Sequence, residues 1–126
     1  MFNSTTSVGL YDTLGEQATM YIINQTEMTT VACSLDIVAK IIAWKEDDNA
    51  EAEEDRKLHR LVNLVCFDEI KSTDILEKAD KVGVKVTTFG EVIEQGIKAI
   101  KDEKFKITEP KPDDCCLFSY TSGTTG

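Results

Sequence analysis

The sequence lacks an excess of positive charge. Its 14 lysines and arginines are outnumbered by 23 aspartates and glutamates, which gives a formal net charge of -9. A negative field repels phosphate at long range, so the composition disfavours binding of nucleic acid or of an anionic membrane through a basic surface. A local anion site built from backbone amides is still compatible with this charge, because it needs no basic side chain.

Long apolar runs and metal-ligand patterns are also missing. No stretch approaches the roughly 20 apolar residues that cross a bilayer, and no basic segment followed by an apolar run marks a signal peptide. The four cysteines have no CxxC spacing, and His59 is the only histidine. We therefore expect no metal site. The cysteines are interpreted as small apolar core residues in a reducing compartment: Cys33, Cys66, Cys115 and Cys116.

What the sequence does have is the composition of one globular domain, with 126 residues of which 41% are hydrophobic. Helix-type and strand-type patterns alternate along the chain. This alternation predicts an α/β fold, with a parallel sheet of about four strands flanked by helices. The predicted strands cover residues 29–33, 61–67, 84–87 and 115–120; the second reads as a strand buried on both faces, and the fourth as a buried strand.

Several residues mark the predicted helix boundaries. Thr13 and Glu16 have the spacing of a capping box, and Thr88 and Glu91 repeat it. The first box predicts a helix over about residues 14–26, and a serine at position 34 is placed to cap the second helix. A third helix over residues 73–81 should stop before Gly83. The last helix carries its apolar residues on one face: Phe89, Val92, Ile93, Ile97 and Ile100.

Two segments are predicted to be irregular. Residues 46–55 contain seven acidic residues and no basic one, but lack the spacing and central glycine of a calcium loop. We expect a solvated acidic loop or a frayed helix end over about residues 46–57. Both prolines lie in a second segment, which should form an extended linker over about residues 106–114.

The loop after the last predicted strand is the candidate site, because ligands of parallel sheets bind beyond the carboxyl ends of the strands. Glycines there let backbone amides approach a ligand, and the threonine and serine hydroxyls suit phosphate oxygens. The loop contains no lysine, so it is not a Walker A loop. Its residues are Thr121, Ser122, Gly123, Thr124, Thr125 and Gly126.

The segment YTSGTTG, residues 120–126, resembles the phosphate-binding signature of the adenylate-forming superfamily, which includes acyl-CoA synthetases, luciferases and peptide-synthetase adenylation domains. In that family one variable residue and Pro-Lys-Gly follow the motif. The resemblance therefore implies that residues 1–126 are a partial AMP-binding N-terminal domain, ending inside its own nucleotide loop. Three further segments resemble the long-chain fatty acyl-CoA synthetase branch, although Gly9 stands where that branch usually has proline: LYDTLG at 10–15, YIINQTE at 21–27 and LVCFDE at 64–69.

The resemblance implies a fragment of a long-chain fatty acid–CoA ligase that uses ATP, Mg²⁺ and CoA with a fatty acid substrate. The six loop residues would hold the ATP phosphates. The family's catalytic lysine and acidic Mg²⁺ ligand are expected outside this chain, so the fragment alone should be inactive. The resemblance also implies an intracellular parent, on the cytoplasmic face of the endoplasmic reticulum, the peroxisome or another membrane. The chain shows no anchor of its own.

A free-standing binding or signalling module, such as a receiver-like α/β domain, is the alternative. Such a domain needs paired acids at the end of its first strand and a lysine near its last strand. Asp68 and Glu69 are the only strand-end acidic pair, and Tyr120 is followed by hydroxyl residues. These features favour the ligase fragment.

Overall fold

The computed structural model describes residues 2–11, 13–102 and 104–121. Strands and helices alternate over most of this length, as predicted. In chain order they are β1 (Ser7–Val8), α1 (Glu16–Gln25), β2 (Thr30–Cys33), α2 (Leu35–Ala50), β3 (Asn63–Cys66), α3 (Thr73–Lys81), β4 (Lys85–Thr88), α4 (Phe89–Lys101) and β5 (Leu117–Phe118). Short 3-10 turns occur at Phe2–Ser4 and Glu53–Asp55.

The strands form two parallel sheets, and the predicted α/β class is confirmed. Three strands lie in the order β2-β3-β4, with Val31 paired to Leu64 and Leu64 paired to Val86. The fourth predicted strand, β5, does not extend this sheet and pairs instead with β1, matching Ser7 to Leu117. The reason is that β1 and β5 come from opposite ends of the chain, a pairing that no local pattern encodes.

The main sheet packs against helices α1, α2 and α3 around one hydrophobic core. Helices α2 and α3 contact each other as well as the strands that follow them. In β3, Leu64 and Cys66 are fully buried while Val65 is half-buried, so only one face of the strand lies in the core. Its prediction as a strand buried on both faces was therefore wrong. The largest side chains that are fully buried in this core are Ile23, Ile41, Leu58, Leu61, Leu64 and Val38.

The two capping-box predictions have opposite outcomes. At the start of α4 the box forms: the Thr88 hydroxyl accepts from the Glu91 amide at 3.3 Å, and the Glu91 carboxylate accepts from the Thr88 amide at 2.7 Å. At α1 the prediction was wrong, because Gly15 is the residue that precedes the helix and no side chain caps it. A separate turn, closed by the hydrogen bond from the Leu14 amide to the Tyr11 carbonyl, lies just before the helix.

The other helix boundaries agree closely with the sequence. Helix α3 spans the predicted residues, and the hydroxyl of Ser72 accepts a hydrogen bond from the Asp74 amide at its start. Gly83 follows the helix with a φ of 77°, a conformation that glycine adopts without steric cost. Ser34 precedes α2 as predicted, but its hydroxyl donates to the carboxylate of Asp36 and does not cap a backbone amide.

Two predicted apolar surfaces are exposed. The apolar face of α4 contacts β3 and β4 only in part, and none of its described residues is buried. Strand β5 was predicted to be buried, but Leu117 is 56% exposed and Phe118 is 45% exposed. Cys115 and Cys116 are also exposed, so their interpretation as core residues was wrong, whereas Cys66 is fully buried.

The acidic stretch contains one buried carboxylate. Helix α2 continues to Ala50, and Asp48 on it is only 4% exposed. Its two carboxylate oxygens accept hydrogen bonds from the backbone amides of Lys57 and Leu58, each at 2.8 Å. Lys45, one turn earlier, is equally buried and donates to the Leu58 carbonyl. Burial lowers the pKa of Lys45, and Asp48 opposes that shift.

Candidate functional site

The approach to the candidate loop is held by the N-terminal segment. The backbone amide of Ser7 donates to the carbonyl of Cys116 at 3.1 Å, and the Thr6 hydroxyl donates to the carbonyl of Cys115 at 2.7 Å. With the β1–β5 pairing, these bonds fix a segment that would otherwise have few contacts. Strand β5 is thus a parallel strand that ends three residues before Thr121, the first residue of the candidate loop.

The segment before β5 is fixed by two local arrangements. Asn3 and Thr108 exchange two hydrogen bonds of 2.9 and 2.8 Å, which join the N-terminal segment to the segment that precedes β5. Further along, the Lys111 amide donates to the carboxylate of Asp114 at 2.9 Å. This bond, with a smaller contribution from the Ser4 side chain, lowers the pKa of the Asp114 carboxyl. Both arrangements guide the chain into β5.

Tyr120 links the start of the candidate loop to helix α1. Its hydroxyl donates a hydrogen bond to Oε1 of Gln25 at 2.7 Å, across 95 positions of sequence. Gln25 is the last residue of α1, and Ile22 and Ile23 of the same turn are buried in the core. The residue directly before the loop is thus tied to a helix end that the core holds in place.

Of the six predicted site residues, the structure describes only Thr121, which is exposed. The other five lie outside the described residues: Ser122, Gly123, Thr124, Thr125 and Gly126. Their assignment as ligands of the ATP phosphates stays a prediction. Gln25 is a residue that sequence reasoning missed, because nothing in its local pattern indicates a partner so distant in sequence.

The carboxyl edge of the main sheet presents a different set of side chains. Cys33 and Cys66 are paired in register there, with Thr88 next to Cys66. Burial, together with the nearby Cys66 and Asp36, raises the pKa of the Cys33 thiol to about 11. A thiol with so high a pKa is a poor nucleophile at neutral pH. We therefore assign Cys33 a packing role.

Asp68 also lies at this edge and acts on helix α2. Its Oδ2 atom accepts a hydrogen bond from the backbone amide of Leu35 at 2.7 Å, at the first turn of the helix. A carboxylate in that position satisfies a free amide and interacts favourably with the helix dipole. Close by, the rings of Phe67 and Phe89 pack edge to face with centroids 5.8 Å apart. Asp68 is therefore explained by a structural role.

A comparison with known families decides the family of this chain. The sequence model of the family described as AMP-binding enzyme matches residues 2–126. The chain belongs to the AMP-binding enzyme family. The match covers the N-terminal segment, the main sheet and the candidate loop together.

Within the AMP-binding family, curated relatives carry the names of acyl-CoA ligases. Over 123 residues the chain is 32% identical to the human Long-chain-fatty-acid–CoA ligase 1, 28% to the rat Long-chain-fatty-acid–CoA ligase 5, and 31% to Long chain acyl-CoA synthetase 6, peroxisomal, of Arabidopsis thaliana. These matches cover 94% to 98% of the chain but only 15% or 16% of each relative. No solved structure matches the chain significantly.

The described residues also bear on metal binding and on membranes. In the part of the chain that the structure describes, no three or more histidine, cysteine, aspartate or glutamate side chains are grouped so that they could hold a metal ion. Over the same residues, none of the helices has both the length and the apolar character that a bilayer crossing requires.

Proposed function

We propose that this AMP-binding segment is part of a long-chain fatty acid–CoA ligase. The observation that carries the proposal is that relatives named as ligases or synthetases of long-chain fatty acids match 94% to 98% of its length. The YTSGTTG motif supports the proposal, as does the short parallel strand β5 that precedes the motif in the chain. No observation favours the receiver-like alternative.

The reaction we propose has two steps. A fatty carboxylate oxygen attacks the α-phosphorus of ATP, so that an acyl–AMP anhydride forms and pyrophosphate leaves. The thiol of CoA then gives up its proton to solvent and its sulfur attacks the acyl carbonyl, so that a thioester forms and AMP leaves with the bonding electrons of the anhydride. In the first step negative charge develops on the oxygens of the departing pyrophosphate. Hydrogen-bond donors that are already in position can stabilise this charge.

The loop residues of this chain would supply such donors. Hydroxyl groups of Thr121, Ser122, Thr124 and Thr125, with backbone amides made accessible by the glycines, are suited to the β- and γ-phosphates of ATP. The net charge of the chain is negative, so local donors rather than a general positive field must attract the nucleotide. The segment would thus contribute binding and positioning.

ATP usually binds together with Mg²⁺. The described residues contain no group of three or more histidine, cysteine, aspartate or glutamate side chains that could bind this ion. We assign no Mg²⁺ ligand and no catalytic side chain to this segment, and we propose that the 126-residue chain alone does not form acyl-adenylate. We further propose an intracellular parent that uses CoA and associates with a membrane such as that of the peroxisome, the compartment in the name of the Arabidopsis relative.

The test is to express the complete protein that the gene encodes and to measure exchange of labelled pyrophosphate into ATP. We expect exchange that depends on palmitate and is weak with acetate, and we expect palmitoyl-CoA when CoA is added. The 126-residue chain, tested in parallel, should show no exchange. Palmitate-independent exchange, or no thioester with any long-chain acid, would rule out the proposed substrate class.

A further inference from the structure

The end of β5 is weakly fixed by packing. The strand has two residues and pairs with a strand of the same length, and both Leu117 and Phe118 leave about half of their surface in solvent. Apolar burial therefore contributes little to the direction in which the chain continues toward residue 121. Directional bonds must set that direction.

The Tyr120–Gln25 hydrogen bond is such a contact. Its length of 2.7 Å is ideal for a hydroxyl donor and a carbonyl acceptor. Tyr120 is half-buried and directly precedes Thr121, so its orientation sets the path of the chain at that point. The bond joins the last described residues to an element of the main core.

The acceptor is well placed to orient its partner. The final turn of α1 is closed by two hydrogen bonds from Thr26 to the Ile22 carbonyl, at 3.0 Å from the amide and 2.7 Å from the hydroxyl. The Met28 amide bonds the Ile23 carbonyl at 3.0 Å, and both isoleucines are buried. The backbone that carries Gln25 is therefore held by the core.

We propose that Gln25 is a positioning residue for the phosphate-binding loop, acting through the hydroxyl of Tyr120. The proposal rests on the function proposed above, in which residues 121–126 bind the ATP phosphates. A loop whose preceding residue is already held in place loses less conformational entropy when it binds a ligand. Gln25 thus strengthens ATP binding without touching ATP and without contributing to binding of the fatty acid.

The experiment compares Tyr120→Phe, Gln25→Met and the double variant in the complete protein. Both substitutions keep the size of the side chain and remove one partner of the bond. We expect each to raise the KM for ATP about 2- to 10-fold, the range for one neutral hydrogen bond. The KM for palmitate and the melting temperature should stay at the parent values. The same bond is lost in all three variants. The KM for ATP of the double variant should therefore be no higher than that of the single variant with the higher KM.

Matched controls are available on exposed positions. Tyr21→Phe removes a hydroxyl from the same helix, and Gln95→Met removes an amide from α4. In the described part of the chain neither side chain has a hydrogen bond to another residue. Both controls should bind ATP as the parent does.

The outcomes separate this inference from the proposed function. Equilibrium dialysis with ATP, without fatty acid, measures the effect of the bond even if the parent forms no acyl-adenylate. Raised dissociation constants that are not additive support the positioning role. Additive effects, parent-like ATP affinity in the single variants, or an equal rise in the KM for palmitate would overturn it.

Discussion

The carboxylate of Asp48 accepts a hydrogen bond from the backbone amide of Leu58, with 2.8 Å between Oδ2 and N. The same carboxylate binds the Lys57 amide, and Lys45 binds the Leu58 carbonyl. Two charged side chains of α2 therefore fix the turn that leads from the acidic stretch into β3. This arrangement explains how a strongly acidic segment joins a core strand.

Replacing Asp48 by alanine should destabilise the chain by about 2–3 kcal/mol, because it leaves one buried and one partly buried amide without an acceptor. The neighbouring Asp47→Ala removes the same charge from an exposed position and should change the free energy of unfolding by less than about 0.5 kcal/mol. Urea denaturation followed by circular dichroism measures both. Equal effects would mean that the Asp48 bonds do not contribute to stability.

The capping box of α4 should give a measurable pH dependence. Hydrogen bonds from the amide and the hydroxyl of Thr88 lower the pKa of Glu91 below its ordinary value of 4.5. A carboxyl whose pKa is lower in the folded state stabilises the fold above its unfolded pKa, and this contribution disappears as the pH falls through the folded pKa. Glu91→Gln should therefore be less stable than the parent at pH 7 and approach it at acidic pH.

Urea denaturation of parent and Glu91→Gln across this pH range tests the expectation. Glu94→Gln, an exposed substitution on the same helix, is the control and should show a small difference that does not follow this pattern. A Glu91→Gln effect of constant size at all pH values would contradict the box as the source of the pKa shift.

The exposed apolar face of α4 should make the 126-residue chain self-associate. Five of its side chains are between 39% and 65% exposed, and contiguous apolar surface of this kind promotes association. Ile97→Lys should lower the apparent mass in size-exclusion chromatography at high concentration. Gln95→Lys adds the same charge on another side of the helix and should not. A chain that stays monomeric at all concentrations would show that this face does not drive association.

Substitutions in and near the candidate loop should reduce pyrophosphate exchange in the complete protein to different degrees. Gly123→Val should reduce exchange most, since a β-branched side chain restricts the backbone and crowds the approach of phosphate oxygens. Thr124→Ala should have an intermediate effect on exchange, since it removes about 1.5–3 kcal/mol of phosphate stabilisation, the range for a hydrogen bond to a charged group. Cys116→Ala should leave exchange and melting temperature unchanged, because the structure places Cys116 at the surface. Parent-like exchange by Gly123→Val would contradict the phosphate assignment.

Local features of this protein follow from its sequence alone. The alternation of patterns predicts the α/β class, and the Thr88–Glu91 box and the limits of α3 appear as predicted. These features depend on residues three or four positions apart, whose contacts form within one helical turn. The family follows from the sequence for a related reason, since its signature is a contiguous segment.

Tertiary structure decides the rest. Thr13 and Glu16 have the same spacing as the box at α4 but do not form one: α1 begins at Glu16, directly after Gly15, and no side chain caps it. Asp48 looks like the other acids of its stretch, and only the return of residues 57 and 58 makes it a buried acceptor. The pairing of β5 with β1 and the contact of Tyr120 with Gln25 join residues about a hundred positions apart. Such contacts depend on how the whole chain closes on its core, and that closure has no signal in a local pattern.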